Sequence, residues 1–316
     1  MPSPSKTIAV VFPGQGAQRP GMGRDFFEKL SICRQTYEEA TDALGWDVAE
    51  LCFGANELLD HTAYTQPCLL TTEIAMFRGL QSLYGFSPQY FGGHSLGEFT
   101  ALVAAGVMSL GDAVQVVHTR GRLMQEAVPP GLGGMAAVIA DDLDADELEG
   151  SLSDLPVDVA NVNSSHQIVI SGHARALPDA AVRITDILGA DAACRFVPLN
   201  VSAPFHSRFM RPVEREFSIV LKGLEAGVDA RKAVAVTSNY TGRFHTRYRE
   251  DLLCYLTYQL GSRVRWRENM EILAAEADEI YEIGPGRPLR DFFKTISVNC
   301  LSVTTLSAAT RIFGGN

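Results

Sequence analysis

Gly93-His94-Ser95-Leu96-Gly97, continuing into Glu98-Phe99, has the form Gly-x-Ser-x-Gly. That spacing suits a serine raised on a sharp bend between a strand and a helix. The flanks supply both elements: Gln89-Tyr90-Phe91-Gly92 has strand composition, and 96–105 has helical composition and stops at Gly106. Glycine on each side of the serine leaves room for a strained turn. A helix that begins at the serine turns its free N–H groups and its positive dipole end toward any oxyanion formed there. Ser95 is therefore the candidate nucleophile.

Toward the N-terminus, Thr7-Ile8-Ala9-Val10-Val11-Phe12 is a continuous run of the kind buried on both faces of a parallel sheet. It empties into Pro13-Gly14-Gln15-Gly16-Ala17-Gln18. This loop fits neither G-x-G-x-x-G nor the P-loop, so nucleotide binding is a weak reading; the other use is to bring a backbone N–H close to a reacting centre. One long helix is expected over 25–44, closed by Gly45. Another is expected over 69–83, after Thr65-Gln66-Pro67 and ending at Gly85. Beyond the bend, Ser109-Leu110-Gly111-Asp112 is a capping-box variant. The helix it opens places Ala113, Val117, Arg120 and Met124 at offsets of 0, 4, 7 and 11, one face. Arg120 thus sits on the stripe that should be buried, where a guanidinium needs a carboxylate partner or an anionic ligand. The pattern leaves both open.

From Gly133 the elements shorten. Strands are expected over 134–140, 157–162, 167–171 and 194–199, with helices over 143–151 and 174–188. The order βαββαβ is that of a ferredoxin-like unit, here 133–199, inserted in a larger domain formed by 1–132 and 200–316. In the larger domain Ala203-Pro204-Phe205-His206-Ser207 is a proline-set loop. Helices are expected over 208–224, 252–260 and 266–275, and strands over 233–238, 279–283 and 300–306. The tail beyond Leu306 carries no motif and is expected to be disordered. Strands alternating with helices imply an α/β protein with a mostly parallel sheet covered on both faces.

Composition narrows the chemistry. At 316 residues the chain is long enough for one large domain or two ordinary ones, and 46% hydrophobic residues supply a substantial core. A net charge of −10 repels a phosphate backbone and argues against nucleic-acid binding. It also obliges any acidic partner to be met by a local basic patch. No apolar run reaches the ~18 residues of a membrane span, and the N-terminus lacks a signal-peptide layout. A cytoplasmic monomer is expected, its six scattered cysteines reduced. None of the seven histidines stands at metal-ligand spacing from a cysteine or another histidine, so no metal site is expected. A serine still needs a base to take its proton. His94 adjoins Ser95, but neighbours on a turn point apart. His206 lies where the chain re-enters the larger domain, a junction where clefts form, and ranks first among the histidines.

Several further stretches recur in order: Phe12-Pro13-Gly14-Gln15-Gly16, Thr65-Gln66-Pro67, the serine motif, Arg120-Gly121-Arg122-Leu123-Met124 and Gly134-Met135-Ala136-Ala137-Val138. They continue with Asn161-Val162-Asn163, Gln167-Ile168-Val169-Ile170-Ser171-Gly172, Phe205-His206-Ser207, Tyr258-Gln259-Leu260, Val264-Arg265-Trp266 and Glu282-Ile283-Gly284-Pro285-Gly286. Together they span nearly the whole chain and resemble the malonyl-CoA:acyl-carrier-protein transacylase family. The resemblance implies an α/β-hydrolase-like large domain with an inserted ferredoxin-like domain. It implies that Ser95 is acylated, that His206 is its base, and that the backbone carbonyl of Gln259, rather than an aspartate, orients His206. It implies an oxyanion hole from the N–H groups of Gln15 and Leu96, and a two-pronged grip by Arg120 on the free malonyl carboxylate. Gln66 and Asn163 match polar positions lining the site. Phe205 matches a position that disfavours an α-methyl group, a preference worth ~10–200-fold. Phe99 departs from the family pattern, standing where tyrosine is usual.

The implied substrate is malonyl-CoA and the implied partner a phosphopantetheinylated acyl carrier protein of fatty-acid or polyketide synthesis, with no tightly bound cofactor. Because carrier proteins are acidic, Arg243, Arg247 and Arg249, or Arg263, Arg265 and Arg267, are candidate docking residues; the plainer reading is solvated surface charge. Two rivals would use the same landmarks: an acyl-thioester hydrolase that passes the acyl group to water, and a non-catalytic carrier-binding scaffold.

Overall fold

The computed structural model describes residues 6–189, 193–201, 203–224 and 227–315. In chain order the first part of the larger body comprises β1 (Ile8–Phe12), α1 (Arg24–Lys29), α2 (Ser31–Leu44), α3 (Val48–Phe53), α4 (Thr62–Tyr84), β2 (Tyr90–Gly93), α5 (Leu96–Ala104) and α6 (Leu110–Glu126). The smaller body follows as β3 (Gly133–Ile139), α7 (Ala145–Ser151), β4 (Val157–Ser164), β5 (Gln167–His173), α8 (Leu177–Leu188) and β6 (Arg195–Pro198). The chain then returns through α9 (Arg211–Lys222), β7 (Thr237–Ser238), β8 (Arg243–Phe244), α10 (Arg249–Tyr258), α11 (Trp266–Glu276), β9 (Glu279–Ile283), α12 (Pro288–Thr295), β10 (Cys300–Val303) and α13 (Leu306–Phe313).

The protein is α/β, with one parallel and one separate antiparallel sheet. The parallel sheet has the order β10-β9-β1-β2. Its apolar first strand lies inside, and Ala9, Val10, Val11 and Phe12 are fully buried, as a strand covered on both faces requires. The antiparallel sheet has the order β4-β5-β3-β6, the strand order of a ferredoxin-like unit. Its residues alternate between two fates. Val138, Val159, Ile168 and Ile170 pack with Leu148, Leu152, Ala180 and Ile184 of α7 and α8 into the small body's own core. Met135, Ala137, Ile139, Asn161, Asn163, Gln167 and Val169 face the other way and roof a cleft above the parallel sheet. The roof is tied down at one edge, where Val162 N–H donates to Val264 O at 2.9 Å and Val264 N–H to Ala160 O at 2.8 Å. Arg208 adds a second tie through Asp158, which accepts from its backbone N–H (2.7 Å) and its Nε (2.7 Å).

The elements depart from the sequence expectations in places that have physical causes. The helix expected over 25–44 is broken at Leu30, which turns extended (φ −120°, ψ 123°) and packs its side chain into the main core. A short helix after Gly45, α3, is capped by Asp47, whose side chain accepts from Glu50 N–H. Helix α4 begins before Pro67 rather than after it. Proline has no N–H for the carbonyl four residues back, and His118 Nδ1 supplies the missing donor to Ala63 O at 2.8 Å. The strand expected over 233–238 is a 3-10 turn at Ala230–Ala235, leaving Val236 in a single parallel bridge with Phe91 and Thr237–Ser238 paired in a two-stranded ribbon. The expected disordered tail is instead α13, capped by Thr305, with Phe313 against the rings of Tyr84, Phe86 and Tyr281 at centroid distances of 5.2–5.4 Å. Asn316 lies outside the described residues. Among the described residues, no helix is long and apolar enough to cross a membrane.

Phe313→Ala should lower the unfolding free energy by about 1–3 kcal/mol in urea denaturation, the loss of a partly buried ring from an aromatic cluster. An unchanged midpoint would place α13 outside the cooperative core.

Candidate active site

Ser95 sits where β2 ends and α5 begins, with φ 53° and ψ −100°, a backbone conformation that L-residues rarely hold. Close packing of backbone on backbone keeps it there. A Cβ on Gly93 would lie 2.0 Å from the Gly97 carbonyl, and one on Gly97 would lie 2.1 Å from the Phe12 carbonyl oxygen. Glycine at both positions is therefore a steric requirement of the bend. Leu96 is the first residue of α5, so its N–H has no partner within the helix, and it borders the same cleft as Ser95 and the Gly14-Gln15-Gly16 loop.

His206 arrives from the loop that follows the antiparallel sheet, and it too has positive φ (56°). Strain at both partners marks a geometry imposed by the surroundings. Ser95 Oγ lies 2.7 Å from His206 Nε2, and His206 Nδ1 lies 2.9 Å from the Gln259 backbone carbonyl. A carbonyl oxygen only accepts, so the proton of a neutral His206 sits on Nδ1 and Nε2 is free to take the serine proton. Burial, and then the nearby Arg120 cation, push the His206 pKa down to about 3.

Arg120 is 1% exposed, as its stripe position requires, yet none of its hydrogen-bond acceptors is a carboxylate. Nη1 donates to Gln66 Oε1 at 2.9 Å; Nη2 donates to Gln259 Oε1 at 2.7 Å and to Ser95 Oγ at 3.1 Å. Nε has no partner. Of the two openings left by the sequence pattern, an internal ion pair at this residue is not found among the described residues. Burial lowers its pKa to about 10, so it stays charged at neutral pH. The Phe99 ring lies beneath the guanidinium, 5.4 Å from centroid to Cζ, which gives the aromatic residue at this position a cation–π contact without needing a hydroxyl.

The cleft holds about 390 Å³ and is lined by Ser95, His206, Arg120, Gln66, Phe205 and Asn163 among others. Asn163 makes no hydrogen bond to the serine among the described residues. It accepts from His94 Nε2 at 2.8 Å and donates to Gln167 Oε1 at 2.8 Å, and His94 in turn packs edge-on against Trp266 at 5.8 Å. Gln15 borders the cleft, and its side chain donates to Thr62 Oγ1 at 3.2 Å. Of the two arginine groups, one is already engaged: Arg263 pairs with Asp146 and Glu149, Arg265 with Glu268, and Arg267 with Glu271. Arg243, Arg247 and Arg249 are exposed.

Two residues that sequence reasoning did not single out hold the bend. Asn239 Oδ1 accepts from Ser95 N–H at 2.6 Å and its Nδ2 donates to Gly93 O at 2.7 Å, bridging both sides of the nucleophile. Glu98, quoted only as part of the motif, is buried beneath it and accepts from Asn239 N–H at 2.9 Å. The available signal was a charged residue in the first turn of an otherwise apolar helix.

The depressed pKa of His206 means that its neutral form persists as pH falls, until about 3. Since kcat/KM reports the free enzyme, its profile for Ser95 acylation should stay flat from about pH 9 down to about pH 5. An acid limb with a midpoint near 6.5 would contradict the site electrostatics.

Comparisons with known proteins agree with this architecture. The acyl transferase domain family matches residues 9–276. A malonyl CoA-acyl carrier protein transacylase of Staphylococcus aureus (strain COL) is 40% identical over 309 residues, 96% of each chain. The one from Escherichia coli (strain K12) is 38% identical over 304 residues, 95% of this chain and 96% of that one. Among solved structures, malonyl CoA-acyl carrier protein transacylase from Clostridium perfringens ATCC 13124 superposes with a TM-score of 0.88 at 34% identity, covering 98% of this chain and 96% of that one. A malonyl-transacylase in complex with a type II PKS acyl-carrier protein superposes with a TM-score of 0.88 at 33% identity, covering 98% and 100%. With the family matched over most of its length and relatives matched end to end, the chain belongs to the malonyl CoA-acyl carrier protein transacylases of the acyl transferase domain family.

Proposed function

We propose that this protein moves a malonyl group from coenzyme A to the phosphopantetheine thiol of an acyl carrier protein, through a malonyl ester on Ser95. The observation that carries the reading is the buried Arg120 cation, held only by neutral partners, 3.1 Å from the nucleophile hydroxyl. Such a group suits an acyl donor with a carboxylate at its far end. The carrier serves fatty-acid or polyketide synthesis, and the protein works in the cytoplasm as a monomer.

Ser95 Oγ attacks the thioester carbonyl while its proton passes to His206 Nε2. The Gln259 carbonyl holds the imidazole and stabilises the imidazolium that forms. Negative charge on the former carbonyl oxygen is met by the N–H groups of Gln15 and Leu96 and by the dipole of α5. Collapse breaks the C–S bond, and the departing thiolate takes the proton back from His206. In the second half the carrier thiol gives its proton to His206 and attacks the ester, and Ser95 Oγ recovers that proton as it leaves. Thioester is exchanged for thioester, so the apolar roof of Met135, Ala137 and Val169 serves chiefly to deny water a foothold over the ester. Phe205 closes the pocket near the acyl α-carbon and favours malonyl over α-methyl donors. Gln66 supports Arg120, and Asn163 steadies His94. The division into 1–132 with 200–316 and 133–199 then has a functional sense: floor with nucleophile, and roof. Carrier docking falls to Arg243, Arg247 and Arg249, which have no carboxylate partner among the described residues.

Protein, malonyl-CoA and holo carrier should give a malonylated carrier by intact mass. Free malonate alone would identify a hydrolase, and an unmodified Ser95 a scaffold. Arg120→Ala should reduce malonyl loading by about 100-fold or more while acetyl loading falls far less; equal loss for both donors would remove Arg120 from carboxylate recognition.

A further inference from the structure

Glu98 is the third residue of α5, with a fully buried side chain. A glutamate at this position ordinarily reaches back to the N–H of the helix-capping residue. Here Asn239 has taken that N–H, and Glu98 faces inward. Its Oε1 accepts from His245 Nε2 at 2.8 Å; its Oε2 accepts from Asn239 N–H at 2.9 Å and from Gln259 Nε2 at 2.7 Å. The same Gln259 nitrogen also donates to the Ser95 carbonyl at 3.1 Å. A carboxylate and a carbonyl can only accept, so both amide protons of Gln259 are committed and the amide has one orientation. Its oxygen is left facing Arg120 Nη2 at 2.7 Å. A flipped amide would set donor against donor at the guanidinium and oxygen against oxygen at Glu98.

The row Arg120–Gln259–Glu98 therefore keeps a buried cation and a buried carboxylate one neutral amide apart. In direct contact, Glu98 would occupy the forked donors that a substrate carboxylate needs. Without Glu98, the amide would lose the shortest acceptor of its N–H groups and be oriented only by the Ser95 carbonyl and by Arg120 itself. Resting on the malonyl-transfer reading, we propose that Glu98 is a positioning residue for donor selection. Through Gln259 it keeps Arg120 aimed into the cleft and unpaired, so that the acyl donor's carboxylate becomes its partner.

The test is Ser95 loading from malonyl-CoA and from acetyl-CoA, the second of which has no carboxylate for Arg120. Glu98→Gln has nearly the same shape but replaces the charged acceptor of the Gln259 amide by a neutral one that can also present a donor, loosening the hold on Gln259. It should lower malonyl kcat/KM by roughly 10- to 100-fold, mainly through KM, with acetyl kcat/KM lowered by no more than about threefold. Glu98→Asp, which keeps the charge, should recover part of the malonyl preference. Equal loss for both donors, no loss for either, or an aspartate variant no better than the glutamine would overturn the inference. Wild-type protein indifferent to the two donors would sink the malonyl reading, and this inference with it. Should Glu98→Gln fail to fold, the wild-type side-chain amide of Gln259 can be followed by NMR. Its two protons should exchange slowly and shift when malonate is titrated in; exchange as fast as that of exposed glutamines would overturn the proposal.

Discussion

A guanidinium buried among neutral partners is the constraint around which the rest of this protein is arranged. Moving a charge out of water is unfavourable unless hydrogen bonds compensate, and Arg120 is given three: two glutamine side-chain oxygens and the nucleophile hydroxyl. Each compensates in part and none cancels the charge. Burial, and then the same cation, lower the pKa of His206, and the same serine oxygen accepts from Arg120 while lying 2.7 Å from His206. Donor recognition and nucleophile activation are thus parts of one hydrogen-bond network.

That network needs a rigid frame, because its members come from far apart in the chain. Ser95 is set by backbone packed against backbone at Gly93 and Gly97. His206 is delivered by the return from the antiparallel sheet, and Gln259 follows the last turn of α10. Glu98, in the first turn after Ser95, gathers Asn239, His245 and Gln259 at a single buried carboxylate. The antiparallel sheet contributes by its period: alternate residues build its own core and line the cleft, so one short stretch of sequence makes both a stable body and a roof.

Much of this could be read before any coordinates. The unbroken run from Thr7 to Phe12 placed a strand buried on both faces, and Gly-x-Ser-x-Gly placed the bend. The short strands after Gly133 revealed the second sheet, because binary pattern and turn residues act locally. The stripe position of Arg120 made its burial legible as well. What stayed hidden depended on tertiary packing. Leu30 leaves its helix to fill the core, Pro67 is tolerated inside α4 because His118 satisfies the freed carbonyl, and α13 is held by rings distant in sequence. Asn239 and His245 carry no local pattern at all; only the fold brings them to Glu98. The left-handed backbone of His206 was equally silent, since no glycine stands there to announce it.

The central claim is that Arg120 is kept free for the acyl donor's carboxylate beside an activated Ser95. The most direct measurement is a crystal structure of the malonyl-Ser95 intermediate. The account predicts both carboxylate oxygens on the Arg120 guanidinium, the ester oxygen facing the N–H groups of Gln15 and Leu96, and Gln259 still bonded to Glu98. A malonyl carboxylate turned to solvent or to another cation, with Arg120 unmoved on its glutamines, would contradict it.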